Sequence, residues 1–110
     1  MEIEIKEHSL FKIVHLSGDV DMHSSPKVRQ SILDCLKQKV SVLVELSAVT
    51  YMDSSGVASL VEGFQVAKKQ GSEFGLAAVA QPVMNVLKLA RLDKVFPIHA
   101  SVEERLARAD

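Results

Sequence analysis

The stretch VTYMDSSGVASLVEGF, Val49 to Phe64, decides how the rest of the chain is read. An apolar segment breaks at Asp53-Ser54-Ser55-Gly56 and then resumes, with Val57, Leu60, Val61, Phe64 and Ala67 recurring at helical spacing. Gly71 follows where a helix C-terminus favours a left-handed residue. Asp, Ser and Gly are ordinary helix-start residues, so Asp53 to Gly56 reads as a cap. It reads equally as a loop in which a serine does the work of the protein. A helix start offers backbone N–H groups and the positive end of a dipole, which stabilise a carboxylate or a phosphoryl group. Spacing leaves both readings open.

Working outward, VSVLVEL (Val40 to Leu46) is short, β-branched and nearly all apolar, the pattern of a central strand. Ile3 and Ile5 alternate with charged residues, and Phe11, Ile13, Val14 and Leu16 continue in extended style after a break at His8-Ser9. These two runs form adjoining strands, a hairpin, the second ending at Gly18. Ser24 and Ser25 before Pro26 give a capped helix start, with Val28, Ile32, Cys35 and Leu36 on one face and Lys37 and Lys39 at the close. Phe74 to Val79 reads as a strand, Pro82 opens a third helix, Val95 to Ile98 is a last short strand, and Glu103 to Ala109 a terminal helix.

Strands alternating with helices imply crossover connections between parallel neighbours. The expected class is α/β: a mixed four- or five-stranded sheet with about four helices packed mainly on one face. A chain of 110 residues has room for one domain, residues 1–110, and one principal core. In such sheets functional groups gather where strand C-termini meet helix N-termini, which is where Asp53 to Gly56 falls.

Composition narrows the function. A net charge of -1, from 13 basic and 14 acidic residues spread along the chain, gives no footprint for nucleic acid or an anionic membrane. The start MEIEIKEHSL carries no basic, apolar leader, and no run approaches the ~20 apolar residues that span a bilayer. The single cysteine, Cys35, has no partner for a disulfide and reads as a small buried hydrophobe in a reducing compartment. The expectation is a soluble cytoplasmic protein without direct membrane insertion.

A second polar cluster lies in LSGDVDMHSS, Leu16 to Ser25. Asp19 and Asp21 stand two apart, and in an extended segment they point the same way, toward the start of the second helix. They read either as a solvated turn or as an acidic setting in which Asp21 orients a serine hydroxyl. His15, Asp19, Asp21 and His23 share parity, but no pair has a spacing typical of metal ligands, so no metal site is expected. A serine hydrolase is disfavoured because the Gly-x-Ser-x-Gly elbow is missing.

Taken together, Gly18-Asp19-Val20-Asp21 with its Ser-rich helix start, the segment Val49 to Val57, and QPVMNVLKLARLDKVFPI resemble, in order, three signatures of the STAS domain family of bacterial anti-sigma factor antagonists. The resemblance covers nearly the whole chain. It implies a partner-switching protein that is not an enzyme. In its unphosphorylated form such a protein binds an anti-sigma factor that is also a serine protein kinase; phosphorylation of the first serine after the aspartate, here Ser54, releases it, and a serine phosphatase restores binding. ATP and Mg²⁺ belong to the kinase, and the chain itself needs no cofactor. The resemblance further implies that Asp21 and Asp53, with Asp19 nearby, line the phosphorylation site, that Ser55 and Gly56 shape the loop against the partner, and that the protein is a monomer or weak dimer. Family members also serve as accessory subunits of lipid-transporting ABC complexes, the alternative role. One departure stands out: Ala90-Arg91-Leu92 has a long cation where the family commonly has glycine.

Overall fold

The computed structural model describes residues 1–108. A five-stranded sheet runs in the order β1-β2-β3-β4-β5, formed by Glu2–His8, Phe11–Val20, Ser41–Met52, Phe74–Ala77 and Ile98–His99. β1 and β2 form the antiparallel hairpin, and β2 through β5 are parallel. The helices are α1 (Ser25–Lys37), α2 (Ser54–Gln70), α3 (Gln81–Leu89) and α4 (Val102–Leu106). The mixed α/β sheet with its helices is as the sequence predicts.

Strand periodicity divides the core in two. Val14, Leu16, Val42, Val44, Leu46 and Leu76 face α1, α2 and α3, which contribute Val28, Ile32, Leu36, Leu60, Ala67, Val83 and Leu87, all buried. Phe64, Phe74 and Phe96 close this core with edge-on and tilted ring contacts. On the opposite face Phe11, Ile13 and Leu43 receive Val102 and Leu106 of α4. Helices α1 to α3 therefore share one face, and α4 alone covers part of the other.

What holds α4 there is a buried cation. Arg105, 3% exposed, forms a two-pronged ion pair with Glu73 (2.5 and 2.6 Å) and lies 4.9 Å over the Phe11 ring. A bidentate pair of this kind fixes orientation as well as distance. His99 is buried beside Gly75, and its Nε2 has no hydrogen-bond partner among the described residues. Burial pushes its pKa below the ordinary value of 6.5; Glu73 opposes this, and Arg105 and Arg108 reinforce it.

Several boundaries differ from the sequence expectation. β3 continues past Leu46 to Met52, because Val49 and Met52 are buried while Tyr51 pairs alongside Asp19 of an equally extended β2. β2 passes Gly18 with a left-handed φ of 83° and register shifts that let it run to Val20. β4 stops at Ala77 because Ala78 takes φ 52°. β5 begins at Ile98 rather than Val95, since Pro97 has no N–H to give and Phe96 turns into the core. α4 starts at Val102, one residue before the expected Glu103, capped by the Ser101 hydroxyl accepting from the Glu104 N–H at 3.0 Å, and it ends at Leu106 with Ala107 as its C-cap, short of the expected Ala109, which itself lies outside the described residues.

Helix ends explain the odd arginine. α2 stops at Gly71 (φ 77°), with the Ser72 N–H reaching the Ala67 carbonyl at 2.9 Å. α3 ends with the same pattern: the Leu92 N–H donates to Leu87 O (2.8 Å) and the Arg91 N–H to Lys88 O (3.1 Å), with Arg91 at φ 60°. The position needs a left-handed residue, and arginine occupies it at a cost. Arg91→Gly is expected to raise stability by about 1 kcal/mol, read in urea unfolding; an unchanged or lowered midpoint contradicts the strain. His99 supplies a second test. Its folded pKa is depressed, so the unfolded chain takes up the proton first and stability falls as pH drops below 6.5. His99→Asn should flatten that part of the Tm-against-pH curve; an unaltered slope would show that His99 does not carry it.

Candidate functional site

The opening stretch turns out to contain almost no loop. β3 ends at Met52, α2 begins at Ser54, and Asp53 alone joins them. Its backbone is extended (φ -104°, ψ -172°), and its carboxylate accepts from the N–H groups of Ser55 (2.9 Å) and Gly56 (3.3 Å). The Ser55 hydroxyl donates to the same oxygen at 2.5 Å. This is a helix N-cap of the kind the residue types predict.

Asp53 also ties two loops together. Its N–H donates to the Val20 carbonyl at 3.2 Å, and the Met22 backbone N–H contributes to lowering the pKa of its carboxyl. The hydrogen bond from Ser55, with those of Gly56, Ser55 and Met22 N–H, holds the carboxyl below its ordinary value of 3.8. The first turn of α2 is pressed onto the strand ends. A Cβ on Gly56 would come within 2.7 Å of Met52 Cγ and 2.9 Å of Val20 Cγ1. Gly56 is therefore buried for close approach. From one turn on, the buried Ser59 hydroxyl donates to Ser55 O (3.1 Å) and Ser25 O (3.3 Å), joining α2 to the start of α1.

The two serines have different circumstances. Ser55 is half-buried and its hydroxyl is committed to Asp53. Ser54 is exposed, and its hydroxyl has no hydrogen-bond partner among the described residues. Met22, after β2, and Tyr51, near the end of β3, also expose their side chains (72% and 49%). A shallow groove runs from Ser54 along Val57, Val61 and Gln65 of α2.

The other acidic residues are close in the fold but engaged separately. Asp21 forms a turn of its own, accepting from the N–H groups of His23 (2.9 Å) and Ser24 (3.1 Å). The Ser24 backbone bond, then those of His23 and the Ser24 hydroxyl, lower its pKa. Asp19 accepts from the Thr50 hydroxyl at 2.7 Å on β3. Neither carboxylate hydrogen-bonds Ser54, and their different partners show that they do not act as one pair. Ser24 makes no side-chain cap on α1, contrary to expectation, because its hydroxyl turns back to accept the Asp21 N–H at 3.0 Å and to reach Asp19 O at 3.1 Å. Among the described residues no cluster of three or more His, Cys, Asp or Glu is placed to hold a metal ion. No described helix is long and apolar enough to cross a membrane.

Sequence reasoning missed Met22, Thr50 and Ser59. Their roles come from strand pairing and loop contact, not local spacing; the only sequence signal was the polar Thr50 beside an apolar run.

This geometry sits in a recognisable family. The chain belongs to the STAS domain family, whose profile matches residues 2–105. The Anti-sigma F factor antagonist of Paenibacillus polymyxa is 29% identical over 101 residues, covering 90% of this chain and 86% of that protein. A crystal structure of an anti-sigma factor antagonist from Mycobacterium paratuberculosis superposes with a TM-score of 0.86 at 25% identity, covering 96% of this chain and 91% of that one. The anti-sigma factor antagonist SpoIIAA shares the fold: its unphosphorylated form has a TM-score of 0.85 at 20% identity, covering 97% and 95% of the two chains. The phosphorylated form of the Bacillus SpoIIAA has a TM-score of 0.78 at 18% identity, covering 97% and 98%.

The cap makes a testable contribution. Asp53→Ala should lower Tm by a few degrees, and Asp53→Asn by less, because the amide oxygen still accepts from the helix N–H groups. Since the folded pKa of Asp53 is depressed, its stabilisation is present above its unfolded value of 3.8 and lost as pH falls through the folded one. Acid unfolding of Asp53→Asn should accordingly be shallower than that of wild type, and an identical acid limb would rule this out.

Proposed function

We propose that this chain is an anti-sigma factor antagonist that works by partner switching. With Ser54 unmodified it binds an anti-sigma factor that is also a serine kinase; phosphorylation of Ser54 releases it, and a serine phosphatase resets it. The chain is not an enzyme, and the kinase brings ATP and Mg²⁺. The observation that carries this reading is the contrast between the two hydroxyls. Ser55 is locked to Asp53, whereas Ser54 is exposed and uncommitted on the first turn of α2.

Chemically, a kinase needs a hydroxyl it can reach and orient, and Ser54 supplies one without unfolding any element. The phosphoryl group adds about -1.5 to -2 charges. The N–H groups of Ser55 and Gly56 that would welcome it are already taken by Asp53, so the new charge is added on an exposed residue next to the Asp53 carboxylate. Release then follows from repulsion and desolvation at a contact surface, not from refolding. The names of the relatives support the anti-sigma partner, and the two forms of SpoIIAA support phosphorylation as the switch.

Incubation with Mg²⁺-ATP and an anti-sigma kinase from the same genome should place one phosphate on Ser54, located by mass spectrometry. Ser55→Ala should still be modified and Ser54→Ala should not. Ser54→Asp should weaken kinase binding at least about tenfold with an unchanged circular dichroism spectrum. Phosphate on Ser55, or equal affinity of Ser54→Asp and wild type, would defeat the proposal.

A further inference from the structure

The sheet has two edges, and they are unequal. β5 offers two residues, whereas β1 exposes seven, Glu2–His8. Along β1 only Ile3 is half-buried; Ile5 is 43% exposed. An open edge of this length is a template for pairing with another strand.

Which backbone groups are open follows from the hairpin. Only Ser9 and Leu10 separate His8 from Phe11, so that closing pair must exchange both of its N–H···O bonds. Alternation then gives Lys6, Glu4 and Glu2 to the ladder with β2, and turns the N–H and C=O groups of Ile3, Ile5 and Glu7 outward. Side chains alternate as well. Ile3 and Ile5 lie on the helix-covered face opposite Leu16 and Val14, and Glu2, Glu4, Lys6 and His8 on the other.

The occupant these constraints select is a second copy of the same strand. An antiparallel pairing about a twofold axis through Ile5 sets Ile5 on Ile5, Ile3 on Glu7, Glu4 on Lys6 and Glu2 on His8. It uses all three outward residues and forms about six backbone hydrogen bonds. Sliding the register by two residues places Glu4 opposite Glu4, or Lys6 opposite Lys6, and loses backbone bonds. A slide by one puts isoleucines on the charged face. Charges on an edge strand usually repel a neighbour. Here Glu4 and Lys6, 3.7 Å apart in one chain and 70% and 62% exposed, are complementary to their own reverse.

We propose that β1 is a self-association surface, through which two copies join antiparallel about Ile5 into one continuous sheet. The contact is lateral to the strands, whereas Ser54 lies beyond the C-terminal ends of β2 and β3. The dimer therefore does not depend on the switching role.

Sedimentation equilibrium of the full chain, at concentrations up to about 1 mM, tests this. The wild type should show a reversible monomer–dimer equilibrium that weakens with salt. Glu4→Lys, which sets lysine against Lys6 twice, should weaken it at least about tenfold, and the exchange Glu4→Lys with Lys6→Glu should restore it to within about twofold. Ile5→Pro removes an outward N–H without touching the β1–β2 ladder, so it should leave a folded monomer. Ser54→Asp should leave the dimer unchanged. A wild type that stays monomeric throughout, a dimer indifferent to Glu4→Lys, or a charge exchange that fails to rescue would each overturn the proposal; the charge variants decide it even if Ile5→Pro does not fold.

Discussion

The carboxylate of Asp53 is the contact on which the working end of the molecule depends. One side chain accepts from Ser55 and Gly56 N–H and from the Ser55 hydroxyl, while the same residue's N–H holds the Val20 carbonyl. Without it the ends of β2 and β3, the turn before α1 and the start of α2 would each have to satisfy buried or half-buried polar groups alone. A single residue between β3 and α2 leaves no slack, so the helix emerges at a fixed angle from the strand. Gly56 permits that angle, because Val20 and Met52 occupy the space where a Cβ would go.

The same economy governs the other face. Arg105 brings a charge to the open side of the sheet, where only Phe11, Ile13 and Leu43 form a small apolar patch. A five-residue helix cannot hold itself together by propensity. Its ion pair with Glu73, the ring of Phe11 and the cap from Ser101 supply what local structure cannot. The charge is buried only because its partner is fixed at the start of β4, and the pair specifies where α4 sits more than how stable the domain is.

How much of this was legible in the sequence depended on range. The second helix was readable because cap, apolar spacing and Gly71 all agree within one segment. The hairpin was readable from alternation. The full length of β2 and β3 was not, since Ser47, Ala48, Thr50 and Tyr51 are exposed and break the apolar run, and only pairing across a bulged register keeps them extended. At the site, Ser54 and Asp53 stood out locally. Parity pairs Asp19 with Asp21, yet Asp19 turns to Thr50 and Asp21 folds onto its own loop, a distinction set by a partner strand that spacing cannot see.

Those separate engagements bear on how a phosphoryl group would act at Ser54. The three carboxylates are satisfied by neutral donors, backbone N–H groups and hydroxyls, and among the described residues none of the three takes part in an ion pair. Phosphorylation that orders a structure does so by meeting arginine or lysine. On the neighbouring helix, which also carries Lys27 and Lys37, Arg29 is already held by Glu62 through two bonds of 2.7 and 2.8 Å. A phosphate on Ser54 would find the helix N–H groups of Ser55 and Gly56 already taken by Asp53. On the proposed reading, the modification gains no hydrogen bond from those N–H groups, and its effect falls on the surface set against it. On that reading, a site arranged this way keeps the fold constant and makes binding the variable.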